Sequence, residues 1–269
     1  MNTQISIIGC GWLGFSLAKK LVETGFNING STTTTDKLNL LKEHDINPFL
    51  VTLNPSEISG DYTQFLTGSD TVIINIPPGL RKNPNKNHVA EIKHLIHEIE
   101  KQKVKQVLYI SSTSVFQNEI NFPIITVSTV PNAISNSGRQ LIEIEKMLQE
   151  NSNFKTTILR FGGLVDEERH PGQFLSGQKE ISNPEAPTNL IHKTDCIAII
   201  TSILKNDLWG KAINAAYPKH QTKKTYYTNY CKLQNLPLPI FNTLEESKGK
   251  IIESKIMVQL LKYTFKVAP

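Results

Sequence analysis

Residues 4–14 read QISIIGCGWLG. The first five form a short apolar run typical of a strand, and the glycines then follow the pattern G-x-G-x-x-G before a helical pattern that extends to residue 24. A glycine motif between a strand and a helix is typical of dinucleotide binding: the first glycine permits a tight turn, the second lets a pyrophosphate approach the backbone, and the third lets the helix pack closely. The pattern predicts NAD or NADP binding, the alternative being a glycine-rich turn without a ligand. The predicted cofactor-binding residues of this turn are Gly9, Gly11, Trp12, Leu13 and Gly14.

The residues after the second predicted strand bear on the choice of cofactor. An Asp or Glu about 20 residues after the motif bonds the ribose 2′-hydroxyl of NAD. Residues 30–35 read GSTTTT and contain no acid. Because hydroxyl groups can bond a 2′-phosphate, we expect Thr32 and Thr33 to bind the cofactor, with NADP favoured modestly over NAD and both left open.

Strands and helices alternate along the first part of the chain. Strands are predicted over residues 4–8, 26–31, 46–53, 71–76, 106–111 and 155–160, and helices over 12–24, 36–43, 87–102 and 138–150. Strands separated by helical segments indicate βαβ units and a parallel sheet. We therefore predict an α/β fold, a Rossmann-like doubly wound parallel sheet. The binding domain is expected over residues 1–160, and a small substrate lobe, interleaved with the sheet and not independent of it, over residues 161–269.

The composition excludes several classes of function. The chain has 269 residues and a net charge of +5, but only four of its 29 basic residues are arginine, and the lysines are scattered. Nucleic-acid surfaces concentrate basic residues and use arginine heavily, so no nucleic acid is expected. The three cysteines are far apart, which predicts neither a metal site nor disulfides and fits a cytoplasmic protein. No apolar run is long enough to cross a membrane. We expect a small-molecule substrate of unknown identity, and a homodimer is left open.

Several further segments carry a resemblance to a known family. Residues 75–78 read NIPP, 109–115 read YISSTSV and 158–163 read ILRFGG. With the glycine turn, and with RHPG at 169–172 and NLIHKTD at 189–195, they occur in order over nearly the whole chain. Together they resemble the extended short-chain dehydrogenase/reductase superfamily, and more narrowly the NAD(P)-dependent epimerase/dehydratase-like proteins of the YeeZ type.

The resemblance implies a seven-stranded sheet and places residues around a cofactor. Asn75, Ile76 and Pro77 would border its adenosine and ribose side. Ser111 and Ser112 would end the fifth strand beneath the nicotinamide. Phe161 and Gly162 would form part of the nicotinamide pocket.

The catalytic residues of the family are only partly present. Members that transfer hydride use a Ser or Thr, with a Tyr and a Lys in the spacing Y-x-x-x-K. A free tyrosine has a pKa of about 10, and a nearby cation must lower it before it can act near neutral pH. Ser112 matches the serine, but residues 110–216 contain no tyrosine. The Tyr position holds Ser135 or Ser137, and the Lys position holds Arg139 or Leu141.

Arg139 could place positive charge under a cofactor ribose, but it cannot deprotonate. Three hypotheses follow. The chain is an oxidoreductase or an epimerase/dehydratase-like enzyme with altered catalytic groups, a sensor or scaffold that binds NAD(P) without turnover, or a protein that has lost cofactor binding. Absorbance changes of NADH and NADPH with candidate substrates would separate the first two.

Further charged side chains are candidates for the substrate site. Arg169 and His170 lie in a loop after the sixth predicted strand and could contact an anionic substrate or a phosphate, although local charge pairing is an equal alternative. His192 is a candidate general acid because histidine titrates near neutrality. For the neighbouring Asp195 a structural role at the start of a helix is favoured.

Two other patterns have a structural explanation. His88, His94 and His97 on the long helix are predicted to lie on a solvated charged face together with Glu91. The aromatic stripe formed by Tyr226, Tyr227 and Tyr230 is predicted to pack in a core.

Overall fold

The computed structural model describes residues 3–269 and contains one large sheet. The sheet has eight strands in the order β11-β8-β6-β5-β1-β2-β3-β4. Its strands are β1 (Gln4–Ile8), β2 (Asn27–Thr32), β3 (Asn47–Leu53), β4 (Ile58–Gly60), β5 (Thr71–Ile74), β6 (Gln106–Ser112), β8 (Lys155–Phe161) and β11 (Ala212–Ala215). β1 pairs in parallel with β2 and β5, and β4 pairs antiparallel with β3. The predicted Rossmann-like α/β fold is confirmed.

The described chain also contains nine α-helices, four short strands and one 3-10 helix at Thr113–Val115. The helices are α1 (Trp12–Glu23), α2 (Asp36–Lys42), α3 (Tyr62–Leu66), α4 (His88–Lys101), α5 (Asn136–Gln149), α6 (Pro171–Leu175), α7 (Lys193–Lys205), α8 (Lys223–Leu233) and α9 (Lys255–Leu261). The short strands are β7 (Ile124–Ile125), β9 (Gly163–Val165), β10 (Leu190–His192) and β12 (Ile251–Ile252). β9 pairs with β10, and β7 pairs with β12.

The chain divides into two compact units, each built from three segments. The first unit comprises the described residues up to Ser112, with 134–160 and 199–212. The second comprises 113–133, 161–198 and 213–269. The units therefore alternate along the chain, with one change of unit between Arg160 and Phe161. The predicted division into residues 1–160 and 161–269 stays a prediction.

The central strands are apolar because both of their faces are covered. In β1, Ile5, Ile7 and Ile8 are at most 1% exposed, as expected for a strand in the middle of a parallel sheet. The strand order reverses at β1, with β2 and β3 on one side and β5 and β6 on the other. In open α/β sheets this reversal marks the position where ligands bind, beyond the carboxyl ends of the strands.

The sequence predictions differ from the structure in detail. β4 and α3 were not predicted, because residues 54–70 are rich in turn-forming residues and the strand pairs antiparallel at the sheet edge. The implied count of seven strands is wrong, since the sheet has eight. Within residues 3–269, no helix is both long and apolar enough to cross a membrane.

Candidate dinucleotide-binding site

Gly9 and Gly14 of the turn are required by close backbone packing. Gly9 has φ +100°, and a Cβ there would lie 2.5 Å from the Asn75 carbonyl oxygen. A Cβ on Gly14 would lie 2.1 Å from the Gly9 carbonyl oxygen. Both distances are far inside van der Waals contact, so only glycine fits at either position.

Gly11 occupies the opposite environment. It is exposed, its φ is −84°, and a Cβ there would meet no atom of the described chain within 4 Å. Gly11 is also the N-cap of α1, and as a glycine it has no side chain that could accept a hydrogen bond from the first-turn N–H groups; that turn also contains no acidic residue. The positive end of the helix dipole therefore faces an open approach, which is the environment that favours a phosphate group.

Hydrogen bonds from β2 and from the residue that follows β5 fix the backbone of the turn. The Gly9 N–H donates to Ser31 Oγ at 2.9 Å, and the Cys10 N–H donates to the Ser31 carbonyl at 2.9 Å. Asn75 Nδ2 donates to the Gly9 carbonyl at 3.0 Å. Burial raises the pKa of the Cys10 thiol to about 12, so this side chain stays protonated and serves packing.

The threonines at the end of β2 differ in accessibility. Thr32 is buried, and its Oγ1 accepts the Thr34 N–H at 3.2 Å. Thr33 is exposed. Thr33 is therefore the better placed of the two predicted residues to meet a 2′-phosphate.

The segment after β5 lies next to the glycine turn. Asn75 and Ile76 are half-buried and Pro77 is exposed. β5 and β2 lie on opposite sides of β1 in the sheet order. The predicted role of Asn75–Pro77 in cofactor binding is thus compatible with their position, and it stays a prediction.

The two serines at the end of β6 have different surroundings. The Ser111 hydroxyl donates to Glu145 Oε1 at 2.6 Å, and Glu145 forms a buried ion pair with Arg160, whose Nη2 lies 2.6 Å from Glu145 Oε2. The Ser111 side chain is therefore used in the core of the first unit. Ser112 is half-buried at the last position of the strand.

The start of α5, where the family carries its Tyr and Lys, is built differently from the glycine turn. Ser135 is the N-cap, and its side chain accepts the Gly138 N–H at 3.2 Å. Arg139 is exposed, and its Nε donates to the Ile134 carbonyl at 2.8 Å. Leu141 is buried. In its first turns α5 presents a serine cap and a guanidinium instead of a phenol and an amine.

The predicted residues of the second unit are largely engaged within that unit. Phe161 is 2% exposed, and a Cβ on Gly162 would lie 2.4 Å from the Asn189 carbonyl oxygen. Arg169 is exposed in a loop that Asp166 organises by accepting the Arg169 N–H at 2.7 Å. Binding roles for these residues stay predictions.

His170 has a structural environment. Its Nδ1 accepts the Gly172 N–H at 3.1 Å as the N-cap of α6, so Nε2 carries the proton and donates to the Tyr226 hydroxyl at 2.8 Å. The ring stacks on Tyr230 with centroids 3.7 Å apart. Burial lowers the pKa of His170 from 6.5 to about 4, which keeps it neutral at pH 7. The predicted packing role of the tyrosine stripe agrees with these contacts and with the burial of Tyr227.

His192 and Asp195 also make structural contacts. His192 Nδ1 accepts the Thr194 N–H at 3.2 Å, and Nε2 lies 3.3 Å from Glu167 Oε1. Asp195 is fully buried, and its carboxylate accepts the Tyr263 hydroxyl at 2.5 Å and two backbone N–H groups from residues 266 and 267. The structural role expected for Asp195 is that of an anchor for the C-terminal residues, and His192 stays a candidate acid.

One buried cluster was missed by the sequence analysis. The prediction that His88 and Glu91 lie on a solvated face is wrong, since they are 0% and 2% exposed. Glu91 Oε2 accepts hydrogen bonds from His88 Nδ1 at 2.8 Å and Lys86 Nζ at 2.9 Å. Charged partners three residues apart on one helical face were the available signal. Within the described chain, no group of His, Cys, Asp and Glu residues is arranged to hold a metal ion.

Comparisons with known proteins agree with this geometry. A family model described as NAD(P)H-binding matches residues 9–207. Protein YeeZ of Escherichia coli K12 is 31% identical over 252 residues, which cover 93% of this chain and 91% of YeeZ.

Solved structures support the same fold. UDP-glucuronic acid 4-epimerase from Bacillus cereus, in complex with NAD, superposes with a TM-score of 0.80 at 15% identity, covering 99% of this chain and 94% of its own. UDP-N-acetylglucosamine 4-epimerase from the same organism has a TM-score of 0.78 at 14% identity, covering 99% and 92%. With the glycine turn, the family match and the similarity to YeeZ in agreement, the chain belongs to the NAD(P)H-binding family and is of the YeeZ type.

Proposed function

We propose that this protein binds NADP(H), or alternatively NAD(H), at the glycine turn and uses it in an oxidoreductase or epimerase/dehydratase-like reaction on a small molecule. The observation that carries the proposal is Gly11: the one glycine of the motif with open space around it stands at the N-terminus of α1. Close contacts within the protein explain why positions 9 and 14 are glycine. Among the described residues no such contact exists at Gly11, so we attribute the glycine there to the close approach of a bound ligand.

Different residues of the first unit would bind different parts of the dinucleotide. The backbone amides at the start of α1 would bond the pyrophosphate, because they lie at the positive end of the helix dipole. The Thr33 hydroxyl would bond a 2′-phosphate, and an acidic side chain that would repel this group is missing from residues 30–35. This arrangement favours NADP over NAD.

A bound nicotinamide supplies the hydride donor or acceptor, and the chain must orient the substrate and move a proton. Ser112, at the end of β6, would hydrogen-bond the substrate oxygen. Arg139 is a fixed cation and cannot deliver a proton, so the proton would pass through another group. His192 stays the candidate general acid predicted from the sequence.

A second candidate function is supported by the start of α5. Since Ser135 and Arg139 are both engaged by hydrogen bonds in that turn and a tyrosine is missing there, the protein could bind the cofactor as a sensor or scaffold without turnover. Binding would then change its partner interactions instead of converting a substrate.

The test has two stages. Titration of the protein with NADPH and NADH should give saturable binding, tighter for NADPH, and Thr33→Asp should reverse the preference because the carboxylate repels the 2′-phosphate. The protein is then incubated with the dinucleotide and either UDP-sugars, which appear in the names of two structurally similar epimerases, or small carbonyl compounds. Nicotinamide absorbance reports net oxidation or reduction, and chromatography of the products reports epimerisation or dehydration, which regenerate the cofactor.

A substrate-dependent change that Ser112→Ala abolishes and Ser114→Ala leaves intact supports the enzyme. Tight binding with neither an absorbance change nor a converted substrate supports the sensor. Absence of binding to either dinucleotide would refute both.

A further inference from the structure

The buried cluster at the start of α4 fixes a lysine ammonium. Lys86 Nζ lies 2.9 Å from Glu91 Oε2, and the same oxygen accepts from His88 Nδ1 at 2.8 Å. The Lys86 side chain is 25% exposed, while Glu91 is almost completely buried. A cation with a buried counter-ion has little freedom to leave its position, so Lys86 presents its charge to solvent at a fixed place.

The cluster is also joined to the start of α5. Gln140 on this helix accepts the His88 N–H through Oε1 at 2.7 Å and donates from Nε2 to the Lys86 carbonyl at 3.0 Å. Asn136 Nδ2 donates to the Pro84 carbonyl at 3.1 Å. The loop that carries Lys86 is therefore attached to the first two turns of the helix on which the family places its Tyr and Lys.

The ammonium lies beside the segment that follows β5. A Cβ built on Gly79 would be 3.7 Å from Lys86 Nζ. Gly79 lies four residues after Asn75, whose side chain donates a hydrogen bond to the Gly9 carbonyl. Lys86 is thus at the same edge of the sheet as the glycine turn, on the side of β1 that carries β5 and away from β2.

A dinucleotide bound at this edge would extend past Lys86. Its adenosine ribose is expected at the end of β2 and its pyrophosphate at the glycine turn, so its second ribose would lie toward β5. We propose that Lys86 binds the nicotinamide-side ribose or the adjoining phosphate, and provides the ammonium group that is missing from the family's lysine position, which holds Arg139 or Leu141. The inference rests on the proposed function.

The chemistry of the side chain fits this role. An ammonium group has three donors, of which Glu91 accepts one. Burial raises the pKa of Glu91, but hydrogen bonds from His88 and Lys86 outweigh it and leave the pKa below its usual value. Glu91 therefore stays ionised at neutral pH and keeps the ammonium in place.

The experiment compares a whole dinucleotide with its adenine-side fragment. Affinities for NADPH and for adenosine 2′,5′-bisphosphate are measured by calorimetry on wild type and Lys86→Met. Lys82→Met is the matched control, because Lys82 is an exposed lysine of the same loop. Lys86→Met should weaken NADPH binding by about tenfold, the value of a charge-assisted hydrogen bond, and leave the fragment's affinity unchanged. Lys82→Met should bind both as wild type does, and Lys86→Arg should recover part of the lost affinity.

Equal NADPH affinity in wild type and Lys86→Met would overturn the inference while the proposed function stands. Equal weakening of the fragment would also overturn it, since Lys86 would then act on the whole turn. If wild type binds neither ligand, the proposed function fails and the inference falls with it. Thermal unfolding without ligand checks that Lys86→Met folds. If it does not, Lys86→Met with Glu91→Gln removes both charges together and the same comparison is made on that variant.

Discussion

The glycine turn and the start of α5 differ in how far they match the pattern of a short-chain dehydrogenase: the turn has all three glycines, whereas the start of α5 lacks the Tyr and the Lys. At the turn, Gly9 and Gly14 lie against backbone carbonyls that leave no room for a side chain, whereas the described chain leaves the space around Gly11 empty. At α5, Ser135 caps the helix and Arg139 is bonded to a carbonyl of the preceding residues. The chain thus has the backbone geometry of a dinucleotide-binding turn but lacks a Tyr and a Lys at the start of α5, so cofactor binding and catalysis can be tested separately.

The largest expected effect comes from Gly14→Ala. Its Cβ would lie 2.1 Å from the Gly9 carbonyl oxygen, so either α1 or the turn must move. We expect a loss of about 3 kcal/mol or more in the free energy of unfolding, comparable with other severe overpacking changes. Chemical denaturation measures it, and a change below about 1 kcal/mol would show that the turn is not closely packed.

Gly11→Ala sharpens the contrast within the turn. Its Cβ meets no atom of the described chain within 4 Å and its φ suits alanine, so stability should change by less than about 1 kcal/mol. The methyl group would occupy the approach of the pyrophosphate, and NADPH affinity should fall about 100-fold, equivalent to about 2.7 kcal/mol. Calorimetry provides the affinity, and unaltered binding would remove Gly11 from the site.

The glycine turn and the buried His88–Glu91 cluster, which is attached to α5, also differ in how far the sequence could predict them. The pattern of Gly9, Gly11 and Gly14 is visible in the sequence because it lies between a strand and a helix adjacent in the chain, although the carbonyl that Gly9 approaches belongs to Asn75, 66 residues away. His88 and Glu91 are buried on a helix that packs against α5, and Gln140 of α5, which accepts the His88 N–H, is 52 residues from His88 in the chain. A pattern of charges on one helix therefore predicted a solvated face where tertiary contacts create a buried one.

Glu91→Gln tests whether the cluster attached to α5 depends on charge. The pKa of Glu91 is lowered in the folded protein, so its ionised form stabilises wild type above pH 4.5, and this contribution is lost as pH falls below 4.5 toward the lower folded value. Wild type should lose stability more steeply than Glu91→Gln over that range. Urea denaturation across acidic pH measures both slopes, with Glu98→Gln, a partly exposed residue on the same helix, as the control.

Parallel slopes for wild type and Glu91→Gln would contradict the assigned ion pair. Glu98→Gln should show the same dependence of stability on pH as wild type. The ion pair of Glu98 with Lys101 involves a solvent-exposed lysine and therefore contributes little to stability.

The smallest effect is expected for Ser135→Ala at α5. Loss of the N-cap hydrogen bond to Gly138 should cost about 1 kcal/mol of stability. NADPH affinity should not change, because the hydroxyl serves the helix and not a ligand. Ser137→Ala, two residues on and without this cap bond in the described contacts, is the control for stability. A fall in affinity for Ser135→Ala alone would place Ser135 in the binding site.

The central claim is that the open glycine at the N-terminus of α1 receives a dinucleotide. A crystal structure of the protein with NADPH tests it most directly. The account predicts that pyrophosphate oxygens lie against Gly11, about 3 Å from backbone N–H groups at the start of α1, with the 2′-phosphate beside Thr33. A dinucleotide bound elsewhere, or no bound dinucleotide at saturating concentration, would contradict it.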